Sequence, residues 1–102
     1  MNNLFFVLKL IPPRPSFSQD MNEQERAIML QHVQYWRELM AKNKVVAFGP
    51  VLDPAGVYGL GIVMVKDKEE VQSLINGDPA NGLNHYEYLQ MLTVVPPVLL
   101  QQ

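Results

Sequence analysis

Apolar side chains fall along this chain in blocks, and their spacing changes from one block to the next. Leu4 to Ile11 (LFFVLKLI) is short, aromatic and branched and is broken only by Lys9, which predicts a strand rather than a helix. Leu4, Phe6, Leu8 and Leu10 share one face and Phe5, Val7 and Ile11 the other, so both faces call for cover. Pro12-Pro13-Arg14-Pro15 then imposes a stiff extended connector, because each proline fixes φ and removes an amide donor. From Asn22 to Lys42 the period becomes helical, with Asn22 as N-cap and Glu25 at the capping-box position. Ile28, His32, Tyr35 and Leu39 form one inward row and Met29, Val33, Trp36 and Met40 an adjoining one.

Val45 to Leu52 and Val57 to Val65 read as a hairpin around Asp53-Pro54-Ala55-Gly56, a type I turn sequence. Gly59 and Gly61 lie inside the second of these strands with no helix opening after them. That spacing indicates a close backbone approach or a bulge, not a dinucleotide-binding turn. Asp67 caps a short helix with Val71, Leu74 and Ile75 facing inward and Gly77 as its stop. Tyr86 to Val94 forms the last strand, and the paired prolines at 96 and 97 keep the tail out of a central strand. The order β-α-β-β-α-β predicts one α+β domain over residues 1–102, with a core of about 4–94. Its architecture is the ferredoxin-like split βαβ, a four-stranded antiparallel sheet with two helices on one face. Strands one and three are apolar on both faces, so the uncovered face predicts a homodimer packed sheet against sheet as an α/β barrel. Val98-Leu99-Leu100 would reach toward the partner.

Composition sharpens this reading. Charged residues make up 18% of the 102, below the roughly 25% of an ordinary domain, which fits surface awaiting a partner. Eight Lys and Arg against ten Asp and Glu give a net charge of -2 and no basic footprint for nucleic acid. No apolar stretch reaches the roughly 18–20 residues that span a bilayer. The Met1-Asn2-Asn3-Leu4 start lacks a positive region and a cleavage site, so a cytoplasmic protein is expected. The absence of cysteine removes disulfides, thiolate zinc sites and a cysteine nucleophile. Two histidines without ligand spacing predict no metal site, and no motif names a cofactor.

Candidate chemistry narrows to two residues. His32 stands mid-helix on an apolar row, where a group titrating near neutrality is costly unless something pairs or uses it. Asp78 follows the Gly77 stop and is restrained by Pro79, on a loop that can return toward the first helix. A packed core histidine and an Asx turn are the structural alternatives for the two. His85, at the start of the last strand, reads as a solvated turn residue.

The strings QHVQYW at 31–36, FGPVLDPAGVYGLGI at 48–62 and GDP at 77–79 resemble the YCII-related (YciI-like) family. So do Arg14-Pro15-Ser16-Phe17 and the helix motif Glu25-Arg26 … Met29 … His32. The resemblance covers residues 4–94 and implies a dimeric ferredoxin-like fold with a His–Asp dyad carried by His32 and Asp78. It also implies that Gly49-Pro50 lines the pocket and that the activity is lyase- or dehydrochlorinase-like, on small hydroxylated rings. The VVPPVLLQQ end departs from the family pattern. The expected function is therefore a cofactor-free acid–base enzyme with His32 as base and Asp78 as its orienting partner. Arg14 would bind a carboxylate or enolate oxygen if its loop folds over the pocket, and Phe17, Tyr35 and Tyr58 would wall a small-molecule substrate. A non-catalytic dimeric binding module is the competing reading, since this fold hosts many functions.

Overall fold

The computed structural model describes residues 3–98. The N-terminal Met1-Asn2 and the Leu99-Leu100 expected to reach a partner lie outside the described residues. Four strands, β1 (Leu4–Ile11), β2 (Val45–Val51), β3 (Tyr58–Val65) and β4 (His85–Met91), form one antiparallel sheet in the order β2-β3-β1-β4. With helices α2 (Glu23–Ala41) and α3 (Lys68–Gly77) joining them, this is the ferredoxin-like arrangement of an α+β domain. No helix is long and apolar enough to cross a membrane among the described residues.

The local signals that build these elements are visible at their ends. Asn22 Oδ1 accepts from the Glu25 N–H (2.8 Å) and the Glu25 carboxylate accepts from the Asn22 N–H (3.0 Å), closing the capping box of α2. The helix ends in a Schellman motif: Asn43 takes φ 63°, its N–H donates to the Met40 carbonyl and the Lys44 N–H to that of Leu39. One further helix, α1 (Phe17–Asp20), follows the Pro12–Pro15 connector in a stretch read as loop, where no element was expected. Four residues cannot hold a helix by propensity, and here the Arg14 guanidinium ties both Asp20 and Glu25.

Register divides the sheet into two unlike faces. Phe6, Leu8, Val45, Val63 and Val65 join Trp36 and Leu39 of α2 and Val71, Leu74 and Ile75 of α3 in one buried core. Gly61 sits opposite Leu8 and Phe48 beneath the Trp36 indole; a Cβ there would lie 3.0 Å from Trp36 Cζ3, the close approach its sequence position suggested. On the other face Phe5, Val7, Ile62 and Met64 stand outside that core, and Leu60, Leu89 and Met91 are exposed. β4 stops at Met91, short of the expected Val94, because Met91 already pairs with Phe5 near the start of β1.

Candidate functional site

Pro79 fixes the geometry at the end of α3. The residue before a proline is driven out of the α region, and Asp78 caps the helix in extended conformation (φ −76°, ψ 124°). Its Oδ1 then accepts from the Ala80 N–H at 2.8 Å, a local Asx turn, which leaves Oδ2 pointing back under α2. There three donors meet it: His32 Nδ1 at 2.8 Å, Trp36 Nε1 at 3.1 Å and the Tyr86 hydroxyl. Trp36 Nε1 also lies 3.1 Å from the Tyr86 oxygen, so one N–H serves two acceptors.

The Asp78 side chain is fully enclosed, whereas that of His32 keeps 13% exposure. Burial pushes the Asp78 carboxyl up, but the hydrogen bonds from His32, Tyr86 and the Ala80 N–H outweigh it and hold the group below its ordinary range. Burial, reinforced by the neighbouring carboxylate, pushes the Tyr86 phenol far up, so it stays protonated and donates. An ionised Asp78 requires the His32 proton on Nδ1, which makes Nε2 the acceptor in the neutral ring. Nε2 has no hydrogen-bond partner, yet every fully buried side-chain nitrogen and oxygen among the described residues has one. Nε2 is therefore not fully covered, and the His32 residue borders an open space beside α2.

That space is a cavity of about 220 Å³ between the sheet and α1–α2. Leu8, Leu10, Phe17, Met21, Met29, Val33, Trp36 and Phe48 give it apolar walls, and no Lys, Arg, Asp or Glu lines it among the described residues. Of the residues singled out in the sequence, His32, Phe17, Gly49, Pro50 and Tyr58 border it, and Asp78 stands behind His32. The Tyr58 ring itself lies under the Lys9 ammonium (4.5 Å to the centroid).

Arg14 and Tyr35 lie elsewhere. Arg14 spends its donors on Asp20 Oδ1 (2.8 Å), the Asp20 carbonyl (3.1 Å) and both Glu25 oxygens (3.0 and 2.8 Å), with Phe17 stacked below at 5.2 Å. It secures α1, which roofs the cavity, instead of facing a ligand. Tyr35 donates to the Leu74 carbonyl at 2.7 Å and packs beside Gly77, tying α2 to α3. Among the lining residues not picked out as site residues are three with polar groups near His32: Trp36, Tyr86 and Asn84. The available signal for Tyr86 was its alternation with Tyr88 on the inner face of β4, where a buried phenol must find a partner.

The YCII-related domain matches this chain over residues 5–94. No match was found among curated proteins. Among solved structures, a protein of unknown function from Nitrosomonas europaea is similar, with 14% identity over 93% of this chain and 95% of that chain and a TM-score of 0.47. The domain match takes in all four strands and both long helices, and the chain belongs to the YCII-related family.

Proposed function

We propose that this chain is a small acid–base enzyme of the isomerase or lyase (dehydrochlorinase-like) kind, working without a cofactor on a small ring compound. One observation carries the reading: His32 rests its Nδ1 on an enclosed carboxylate while the residue, its Nε2 unpartnered, borders a largely apolar cavity. Asp78 fixes the tautomer and stabilises the imidazolium, so Nε2 can take a proton from an acidified carbon or hydroxyl. The conjugate acid then returns that proton to another atom in an isomerisation, or a leaving group departs with its electron pair in an elimination. Such help is worth about 10²–10⁴ in rate, enough for a substrate already activated toward enolisation.

The test is a screen of chlorinated hydroxylated rings for chloride release and of unsaturated lactones for a double-bond shift. Turnover should vanish in His32→Gln and in Asp78→Asn, with His32→Gln keeping the circular dichroism of the parent. A His32→Gln chain that turns over normally, or that unfolds because the imidazole is only packing, overturns the reading.

We propose separately, on the exposed sheet face alone, a homodimer joined through that face. Leu89 (74% exposed) with Leu60 and Met91 leaves an apolar surface there that a second copy would cover. Sedimentation should give a dimer that Leu89→Glu converts to monomer; a monomeric parent refutes it.

A further inference from the structure

Asn84 is, with His32, Ser18 and Tyr86, one of the polar residues that line the cavity. It is 5% exposed and precedes β4. Its Nδ2 contacts Met29 Sδ at 3.3 Å and the Ala80 carbonyl at 3.5 Å. A carbonyl can only accept, so the NH₂ end belongs on Ala80 and Oδ1 points away from it. Oδ1 has no hydrogen-bond partner and, by the same reasoning as for Nε2, is not fully covered. Met29 precedes His32 by three residues on α2, an axial offset of about 4.5 Å, so the amide and the imidazole are neighbours on one helix face.

Both unpartnered atoms present lone pairs, and the cavity they adjoin is lined mostly by apolar side chains with no charged residue. An anion entering here would meet no lysine or arginine, would shed its water, and would approach the Asp78 carboxylate behind His32. A neutral molecule with a hydroxyl or N–H would instead pair with an acceptor that no protein group satisfies. We propose that Asn84 is a ligand-anchoring residue and that the cavity selects uncharged single-ring compounds, which donate a hydroxyl or N–H to Asn84 Oδ1 beside His32 Nε2. The volume agrees: an apolar cavity of roughly 150 Å³ holds benzene, so about 220 Å³ leaves room for a ring with small substituents. This names the substrate class of the acid–base site and rests on that reading only for the role of His32.

Equilibrium binding of phenol, anisole and benzoate to the intact chain tests it, read by the emission of Trp36, the sole tryptophan and a cavity wall. Near neutral pH phenol is un-ionised (pKa about 10) and benzoate is an anion. Phenol should bind roughly 3- to 10-fold tighter than anisole, which lacks the donor, and benzoate should be weaker than either. Asn84→Ala should erase the preference for phenol over anisole. Equal binding of phenol and anisole by the parent chain, benzoate binding as tightly as phenol, or no binding of any of the three overturns the proposal without recourse to a variant. The outcomes separate from those of catalysis. A chain that selects phenol but turns nothing over keeps the ligand class and loses the acid–base reading. Turnover of a carboxylate substrate that is lost in His32→Gln does the reverse.

Discussion

Replacing Asp78 by asparagine keeps the side chain's shape and removes its charge. Four donors converge on this carboxylate: the Ala80 N–H on Oδ1, and His32 Nδ1, Trp36 Nε1 and the Tyr86 hydroxyl on Oδ2. An amide offers one oxygen and one NH₂. With its oxygen left in the Oδ2 position, the NH₂ confronts the Ala80 N–H; turned over, it confronts three donors. The first choice is cheaper, yet it leaves a buried donor unpaired, at about 1–3 kcal/mol. The three remaining bonds also lose their charge assistance, which roughly halves their strength. The sum is about 3–5 kcal/mol, the range for removing one member of a buried charged pair, against a total stability of about 5–15 kcal/mol. Urea unfolding followed by far-UV circular dichroism should show it as a midpoint lowered by roughly 2–3 M, for a slope of about 1.5 kcal/mol per molar. The pH dependence has a definite sign. The Asp78 carboxyl titrates below its ordinary range in the folded chain, so its contribution is complete above about pH 4 and is lost as the pH falls through the folded value. The gap between parent and variant is therefore widest near neutrality and closes in acid. A gap below about 1 kcal/mol at neutral pH, or one that does not narrow in acid, refutes the account.

Gly61→Ala should cost about 1–3 kcal/mol, since the new Cβ meets the edge of the buried Trp36 ring at 3.0 and 3.2 Å; a parent-like thermal midpoint counts against that packing. Asn22→Ala removes the capping box and should cost about 1 kcal/mol by thermal unfolding, with no change in cavity binding. Arg14→Gln should release Glu25, whose carboxyl is held down to about 2 by the Arg14 guanidinium and the Asn22 N–H. A carboxyl NMR titration should then find Glu25 closer to its ordinary 4.5, and phenol binding should weaken as α1 loosens over Phe17.

The sequence carried the frame because local rules and tertiary demands agree there. β1 spans the residues its apolar run marks out, and α2 begins and ends where Asn22 and the Asn43 turn dictate. α1 was illegible for the opposite reason: four residues have no period, and what ties their helix down is Arg14, which bonds Asp20 within it and Glu25 of α2 eleven residues away. That long-range choice also decides what Arg14 does. A stiff proline loop with an exposed cation reads the same whether the guanidinium turns to a ligand or to its own carboxylates. Only the placement of α1 and α2 shows that Asp20 and Glu25 claim it.

The site divides along the same line. His32 stood out because a titratable ring on an apolar row needs a partner, and Asp78 because Pro79 forces it off its helix. For Asp78 the two alternatives raised by the sequence are not exclusive. One carboxylate oxygen makes the Asx turn that a helix-ending aspartate is expected to make, and the turn aims the other oxygen at the imidazole. Trp36 and Tyr86 were readable as core side chains, and so they are, but core residues whose polar tips converge on that same oxygen. The indole and the phenol satisfy the buried charge without closing the far side of His32. A fully satisfied carboxylate and a partly exposed imidazole are thus properties of one network, and that combination is what the proposed acid–base role requires of a half-buried histidine.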